Sequence, residues 1–307
     1  DRREVRPLHR VGQRLERAPG LVPGLARFFG ARRRLALGTV VSGPLLWLVV
    51  VYLGSLALLV TSAFFRLDDF TGKSTSEWTI DNLNEAFTTG AYRTLVIRSI
   101  LIAAAATVLC VLVALPVAFY ISRLARSWAK RGLIVALTIP LWAGYLVKAY
   151  ALRAIFEPGG ENGGGFLNSV FGGSPGFGYT ATIVTLAYLW FPYMLLPIYT
   201  GFERLPDSLL DASSDLGAGT LRTFRSVIFP LLIPSIAAGS IFTFSLSLGD
   251  YITVKVVGGT TQMIGNIIER TLLAPNQPLA AAFTLWPIGI MIVYLVVMGR
   301  LGAFKNL

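Results

Sequence analysis

Long stretches without charged side chains most constrain what this chain can fold into. Apart from tyrosines and Cys110, no ionisable residue occurs in five segments, 35–65, 99–122, 162–202, 226–249 and 271–299. A helix needs about 20 mostly apolar residues to cross the hydrocarbon core of a bilayer, so each segment can hold one crossing. Only 14% of all residues are charged, whereas a soluble domain carries about a quarter. The sequence therefore predicts a polytopic membrane protein.

A sixth apolar segment completes the set of predicted spans. It runs from about 132 to 152 and is interrupted only near its end, by Lys148. The long 162–202 segment begins with a glycine-rich stretch that contains Pro175, so we place a single span there, at about 179–201. We expect an all-α protein with six transmembrane helices. Its predicted domains are a basic arm at 1–34 and one membrane domain at 35–307.

The basic residues are unevenly divided between the two predicted faces. Six crossings put both termini on one face, together with the loops at 123–131 and 202–225, and this face carries nineteen Lys or Arg. The opposite face carries seven. Cytoplasmic loops are richer in Lys and Arg. We therefore expect a multi-pass protein of the cell membrane with both termini in the cytoplasm.

The net charge of +11 does not require a nucleic-acid partner. Ten of the basic residues lie in the arm at 1–34, where we expect them to set the topology and attract anionic lipid headgroups. No aromatic stacking platform is interleaved with these arginines, which argues against binding of RNA or DNA.

Few side chains are available for catalysis or metal binding. The chain has one histidine, His9, and one cysteine, Cys110, so thiolate- or imidazole-based zinc, haem and iron–sulfur sites are not expected. Gly72-Lys73-Ser74 has the end of a phosphate-binding loop, but Leu67 occupies the position of the first required glycine. We predict no catalytic residue and no bound metal.

A polar loop between the fourth and fifth spans carries a regular pattern. It reads DASSDLG at 211–217, and Pro230 follows thirteen positions later. We expect a short helix that Gly217 and Gly219 can end in a left-handed conformation, and a second short helix, 221–229, set at an angle to the first. Leu209, Leu210 and Leu216 would form an apolar edge. A structured loop between spans indicates a docking surface.

This pattern resembles the EAA loop of the permease subunits of ABC importers. The best-matching residues are LLDASSDLGA at 209–218 and FRSVIFP at 224–230. Asp211, Ser213 and Phe229 stand where Glu, Ala and Leu are usual. Further matches, WFPYMLLP at 190–197, LGDY at 248–251, Gly258-Gly259 and MIGN at 263–266, are similar to the spermidine/putrescine branch. Apart from the arm at 1–34, the resemblance covers nearly the whole chain.

The resemblance implies a fold, partners and a mechanism. It implies the type I ABC importer permease fold and a location in the inner (plasma) membrane of a prokaryote. The implied partners are two ABC ATPase subunits, a second permease subunit that is homologous but different, an extracytoplasmic solute-binding protein and membrane lipid. ATP and Mg²⁺ would bind to the ATPase, and no cofactor to this chain. The loop at about 203–229, here named the coupling loop, would pass the movement of the ATPases to the spans in an alternating-access cycle. The residues implied in this coupling are Asp207, Leu210, Asp211, Ala212, Ser213, Asp215, Gly217 and Pro230.

A second set of residues is a candidate solute pathway. Asp250, at the outer end of the fifth predicted span, is a costly carboxylate at membrane depth and usually faces a cavity or a partner. It is a candidate gate residue, although a structural hydrogen bond to a neighbouring helix or an ion pair with Lys255 explains it equally well. Aromatic side chains could bind an organic cation through cation–π contacts, or could simply form an interfacial belt. The candidate pathway residues are Tyr145, Tyr150, Trp190, Tyr193, Asp250 and Tyr251.

Three function classes remain at this point. The first is the permease of a polyamine-type ABC importer, with iron(III), thiamine or phosphonate as alternative solutes. The second is an ATP-independent secondary transporter or channel, which would need ionisable residues in several spans, and only Asp250 and Lys148 qualify. The third is a membrane enzyme, for which no nucleophile or metal cluster is found. ATPase activity on a separate subunit fits the first class.

Overall fold

The computed structural model describes residues 41–68, 72, 74–159, 164–274 and 276–303, most of them helical. The predicted arm at 1–34 lies outside the described residues, so that domain stays a prediction. The chain divides into two units, 1–59 and 60–307. The packing described below belongs to the second.

Twelve helices and one two-stranded sheet make up the described chain. The helices are α1 (Val41–Ser62), α2 (Asp81–Thr88), α3 (Gly90–Leu124), α4 (Ser127–Leu141), α5 (Tyr145–Phe156), α6 (Phe166–Phe171), α7 (Tyr179–Glu203), α8 (Asp207–Asp215), α9 (Thr220–Leu248), α10 (Ile252–Val257), α11 (Ile264–Leu273) and α12 (Gln277–Arg300). Five of them, α1, α3, α7, α9 and α12, are long and apolar enough to cross a membrane. The pair α4 and α5 makes a sixth crossing if its two halves form one span. The predicted class, an essentially all-α membrane protein, is confirmed, with five spans or, counting the bent pair, the predicted six.

The third predicted span is not the continuous helix that the sequence suggested. It breaks after Leu141, and α4 and α5 lie at 96° to each other. Pro140 has no N–H for a helical hydrogen bond, and the chain around it tightens into a 3₁₀ turn over Ile139–Leu141. Gly144 is extended there, with φ −55° and ψ 136°, and directly precedes α5. In contrast, α7 continues as one helix through both of its prolines, Pro192 and Pro197.

The core of the bundle is formed by α3, α7 and α9. Its buried apolar side chains are Cys110, Ala114, Ala118, Ala187, Met194, Leu195, Ile198, Phe202, Ile228 and Leu232. Membrane helices approach closely where their side chains are small. A Cβ at Gly239 of α9 would lie 2.8 Å from the Met194 sulfur and 3.2 Å from the Met194 Cα on α7. The crossing of α7 and α9 therefore depends on a glycine at this position.

The polar segment between the first two spans folds into a short hairpin and the helix α2. Strands β1 (Phe65–Leu67) and β2 (Ser74–Trp78) pair antiparallel, with a register irregularity next to Phe65. The Asn82 side-chain amide of α2 donates to the carbonyls of Ala63 and Phe65 at 3.1 and 2.8 Å. The Trp286 indole of α12 donates to the Ala86 carbonyl at 3.1 Å. These bonds hold the hairpin to α2, and α2 to the last span.

Candidate coupling loop and substrate pathway

The coupling loop contains the helix that its pattern predicted. Helix α8 covers Asp207–Asp215, and Gly217 follows with φ 71°. The Ala218 N–H donates to the Ser213 carbonyl at 3.1 Å, and the Gly217 N–H to the Ser214 carbonyl at 2.8 Å. These two bonds form a Schellman motif, which satisfies the last carbonyls of a helix. The expected left-handed conformation is confirmed for Gly217 and wrong for Gly219, which has φ −68°.

The second half of the loop differs from the prediction. The segment after Gly219 is not a separate short helix, because it continues into the fifth span as the 29-residue helix α9. Pro230 therefore lies within α9, near the start of its α-helical part Phe229–Leu248. Pro230 has no N–H for a helical hydrogen bond, and the helix just before it, over Phe224–Ile228, is a π-helical turn.

The residues implied in coupling do not all share one environment. Asp207, Asp211, Ala212, Asp215 and Gly217 are exposed. Ser213 is buried, and its hydroxyl lies 2.5 Å from that of Thr223 on α9.

The predicted apolar edge of α8 is only partly formed. Leu210 packs against the main core, but Leu209 is exposed and Leu216 is 87% exposed. Because Asp207, Asp211 and Asp215 are exposed, the surface of α8 is acidic. Leu216 projects just beyond its end.

Asp250 lies in a buried hydrogen-bonded cluster at the far end of α9. Its two carboxylate oxygens are 2.5 and 2.6 Å from the Tyr145 hydroxyl. The Thr253 N–H donates to Oδ1 and the Thr253 hydroxyl to Oδ2, both at 2.9 Å. Asp250 is 8% exposed.

Of the two structural explanations of Asp250, a hydrogen bond to a neighbouring helix is present and an ion pair with Lys255 is not. Lys255 does not pair with it, because the Lys255 amine lies 2.5 Å from Glu269 on α11. The hydrogen bond to a neighbouring helix is present, since Tyr145 is the first residue of α5. The carboxylate thus joins α5 to the segment that follows α9.

Four aromatic rings on three helices form a row of neighbours that begins at Tyr145 of this cluster. Tyr145 of α5 stacks on Trp190 of α7, with ring centroids 6.0 Å apart. Trp190 and Tyr193 are also 6.0 Å apart, and Tyr193 stacks on Phe242 of α9 at 6.2 Å. We call these four residues the aromatic ladder. Sequence reasoning missed Phe242, although it is an aromatic residue within an apolar span like the others.

Two predicted pathway residues lie outside the aromatic ladder. Tyr150 is 57% exposed, and no ring contact joins it to the ladder in the described part of the chain. The Tyr251 ring lies 5.8 Å from the Lys255 amine instead. Of the six predicted pathway residues, the structure brings together Tyr145, Trp190, Tyr193 and Asp250.

The aromatic ladder also carries an unused hydrogen-bond donor. The Trp190 indole N–H is buried and has no partner among the described residues. A buried donor without a partner is energetically costly, and a solute with acceptor atoms, or a water molecule, would satisfy it. The ladder can therefore offer ring faces to a cation and one N–H to a polar group.

The fold and the coupling loop define a permease of ABC transporters. Residues 106–304 match the family described as "Binding-protein-dependent transport system inner membrane component". Because this match spans more than half of the chain, the protein belongs to that family.

Particular relatives agree with this assignment. The chain is 40% identical over 303 residues to the inner membrane ABC transporter permease protein YdcU of Escherichia coli (strain K12), covering 93% of this chain and 96% of the relative. It is 29% identical over 266 residues to the spermidine/putrescine transport system permease protein PotB of the same organism, covering 85% and 95%. A solved structure of a bacterial ABC transporter involved in the import of the acidic polysaccharide alginate matches with a TM-score of 0.67. That match has 12% identity and covers 90% of this chain and 98% of the other, so it supports the fold alone.

Proposed function

We propose that this permease imports polyamines such as spermidine and putrescine by an ATP-driven alternating-access cycle. The observation that carries the solute class is the aromatic ladder beside the buried Asp250 carboxylate. The similarity to PotB, which is named for spermidine and putrescine transport, supports the same class.

The chemistry of the aromatic ladder suits a flexible organic cation. Polyamines carry protonated amines separated by methylene groups. The face of a Trp or Tyr ring attracts a cation by about 0.5–2 kcal/mol, and methylene groups pack on the same faces. Adjacent rings are 6.0–6.2 Å apart, so such a cation can move from one ring to the next without losing contact.

Asp250 serves as a gate residue in this proposal. Its carboxylate already accepts bonds from Tyr145 and Thr253, so an arriving amine has to compete with them. Release of the Tyr145 hydroxyl would detach the start of α5 from Asp250, while Arg153 further along α5 keeps its bond to the Val256 carbonyl. The gate would thus open at the Tyr145 end of α5 as the cation binds.

In this proposal the coupling loop forms the contact with the ATPase subunits. The exposed face of α8, with Asp207, Asp211 and Asp215, would dock on an ATPase subunit, and the two ATPase subunits would hold ATP and Mg²⁺. A second, homologous permease would complete the translocation path, and a solute-binding protein would deliver the polyamine to the opposite side. In this arrangement α8 and both termini lie on the cytoplasmic side of the membrane.

The main alternative is another solute carried by the same machinery. Iron(III), thiamine and phosphonate are the other candidates, and the name of YdcU specifies no solute. Thiamine is also an organic cation and would fit the aromatic ladder, whereas a phosphonate anion would be repelled by Asp250. An ATP-independent transporter is the more distant alternative.

The decisive experiment is uptake into proteoliposomes that contain the complete complex and its solute-binding protein. Labelled spermidine and putrescine are compared with thiamine, a phosphonate and iron(III), with and without internal ATP. A complex whose ATPase cannot hydrolyse ATP is the control. We expect ATP-dependent uptake of the two polyamines only. Uptake of another solute in their place would overturn the polyamine assignment, and uptake without ATP would overturn the ATP-driven mechanism.

A further inference from the structure

Two basic side chains bind the chain between α7 and α8, the helix of the coupling loop, which we call the coupling helix. Arg123 lies near the end of α3 and Lys130 in the first turn of α4, on either side of the turn that joins these two helices. Arg123 is the more embedded of the two cations, with its side chain 19% exposed. One of its amino groups pairs with the Asp207 carboxylate at the start of α8. The other donates to the carbonyls of Phe202 and Leu205, at 3.1 and 2.7 Å.

Lys130 binds the same segment at Glu203. Its amine lies 2.8 Å from both carboxylate oxygens of Glu203, the last residue of α7. It also lies 5.7 Å from the centre of the Tyr199 ring. Lys130 belongs to the first turn of α4, so the two cations come from different helices, α3 and α4.

These contacts fix the segment between α7 and α8 to α3 and α4. The last carbonyls of a helix lack partners within the helix, and cations near that end are favourable. The planar guanidinium of Arg123 can bond one carboxylate and two carbonyls at once, which a lysine amine cannot match in geometry. The segment 203–207 is therefore tied at both of its ends, to α3 through Asp207 and to α4 through Glu203.

We propose that Arg123, Lys130, Glu203 and Asp207 form an inner clamp that passes movement of the coupling helix to the bent third span. This inference rests on the proposed function, in which α8 is moved by an ATPase. Helix α4 begins at the clamp and runs to the 96° bend, and α5 beyond the bend holds Asp250 through Tyr145. The clamp thus gives the coupling helix a route to the gate through α4 and α5, besides its covalent links to α7 and α9. All four are positioning residues.

The test measures coupling in the full complex reconstituted with its ATPase and solute-binding protein. Two quantities are recorded: spermidine imported per ATP hydrolysed, and stimulation of hydrolysis by the spermidine-loaded binding protein. The variants are Lys130→Glu, Glu203→Lys, the Lys130→Glu/Glu203→Lys pair, and Arg123→Lys. Arg131→Glu is the matched control, because Arg131 is an exposed cation of the same region and, among the described residues, its side chain bonds only the Ser127 carbonyl.

The expected results distinguish a loss of coupling between ATP hydrolysis and transport from a loss of assembled complex. Each single charge reversal should lower spermidine imported per ATP by about fivefold, the scale of a partly exposed ion pair, while the amount of assembled complex stays unchanged. The exchanged pair should return the ratio to within about twofold of wild type, as compensating neighbours do. Arg123→Lys should lower the ratio by about threefold, because a lysine amine cannot reproduce all three bonds of the guanidinium. Arg131→Glu should leave it unchanged.

Two outcomes would overturn the clamp. The first is a ratio that falls only in proportion to the loss of assembled complex, since that describes a purely structural contact. The second is single reversals that match Arg131→Glu in both quantities. A wild-type complex that hydrolyses ATP in response to the binding protein but imports no spermidine would instead overturn the proposed solute, and the clamp would then be judged from stimulation of hydrolysis.

Discussion

The Tyr145 hydroxyl lies within 2.6 Å of both carboxylate oxygens of Asp250, although 105 residues separate them in the chain. Tyr145 starts the helix that follows the bend in the third span, and Asp250 follows the fifth span. This contact joins the start of α5 to the segment that follows α9, together with the bond from Arg153 to the Val256 carbonyl at 2.8 Å. Because the carboxylate is buried, loss of the tyrosine donor would leave a charge with fewer partners.

Removal of the Tyr145 hydroxyl should destabilise the permease. We expect Tyr145→Phe to lower the free energy of unfolding by about 1–3 kcal/mol, the cost of removing a hydrogen bond to a buried charged group. Tyr150→Phe is the control, because Tyr150 lies on the same helix and is 57% exposed. Thermal unfolding of the purified complex measures both. Equal losses for the two variants would contradict the hydrogen bond between Tyr145 and Asp250.

Gly217→Ala should weaken the end of the coupling helix. Gly217 has φ 71°, and no atom lies within 4 Å of a Cβ added there, so the cost is backbone strain alone. A left-handed conformation costs a residue with a Cβ about 1–2 kcal/mol. We expect reduced copurification of the ATPase and slower ATP-driven uptake.

Two further variants make the Gly217 experiment specific. Gly219→Ala should be tolerated, because Gly219 has φ −68° and equally open surroundings. Gly217→Asn should fall between wild type and Gly217→Ala, since Asn tolerates the left-handed region better than Ala. If Gly219→Ala disturbs ATPase binding as much as Gly217→Ala, local strain at Gly217 is not the cause.

Gly239→Ala should disturb the crossing of α7 and α9. The added methyl would meet the Met194 sulfur at 2.8 Å and the Met194 Cα at 3.2 Å, and a backbone atom cannot turn away. Overpacking of this kind costs about 1–3 kcal/mol, which thermal unfolding detects. Gly289→Ala in α12 is the matched control, because open space surrounds its Cβ position. A stable Gly239→Ala protein would mean that the two helices can separate at this point without cost.

Loss of a ring from the aromatic ladder should weaken polyamine transport. We expect Tyr193→Leu to raise the KM for spermidine by about threefold, the effect of one partly exposed cation–π contact. Tyr188→Leu is the control, since Tyr188 lies on the same helix with similar exposure, 43% against 37%, but is not one of the four stacked rings. KM is measured from initial uptake rates. An unchanged KM in Tyr193→Leu, or an equal rise in both variants, would remove Tyr193 from the pathway.

The helices were predictable because each depends on local composition. A charge-free run of about 20 residues is sufficient to predict a span, and the spans at Val41–Ser62, Tyr179–Glu203 and Gln277–Arg300 follow the predicted segments. The end of α8 was also predictable, because the left-handed conformation of Gly217 is a local property of glycine. The bend was not, because both α7 and the third span contain prolines and only the latter breaks.

The candidate site was only partly predictable. Asp250 was identified because a carboxylate at membrane depth is unusual wherever it lies. Its partner was not, since Lys255 was nearer in sequence than Tyr145. Phe242, Arg123 and Lys130 have no distinctive local pattern, and their relation to Tyr193, Asp207 and Glu203 exists only once separate helices are packed together.

The sequence by itself determined the six apolar spans, the coupling helix with its terminal glycine and the family, because these are properties of short continuous segments. Only the tertiary structure decided that the third span bends, that Asp250 bonds to Tyr145 and not to Lys255, and that four aromatic rings form one ladder. The physical reason is that hydrogen bonds and ring contacts act over a few ångströms. Residues a hundred positions apart in the chain come within that distance only after the helices have packed.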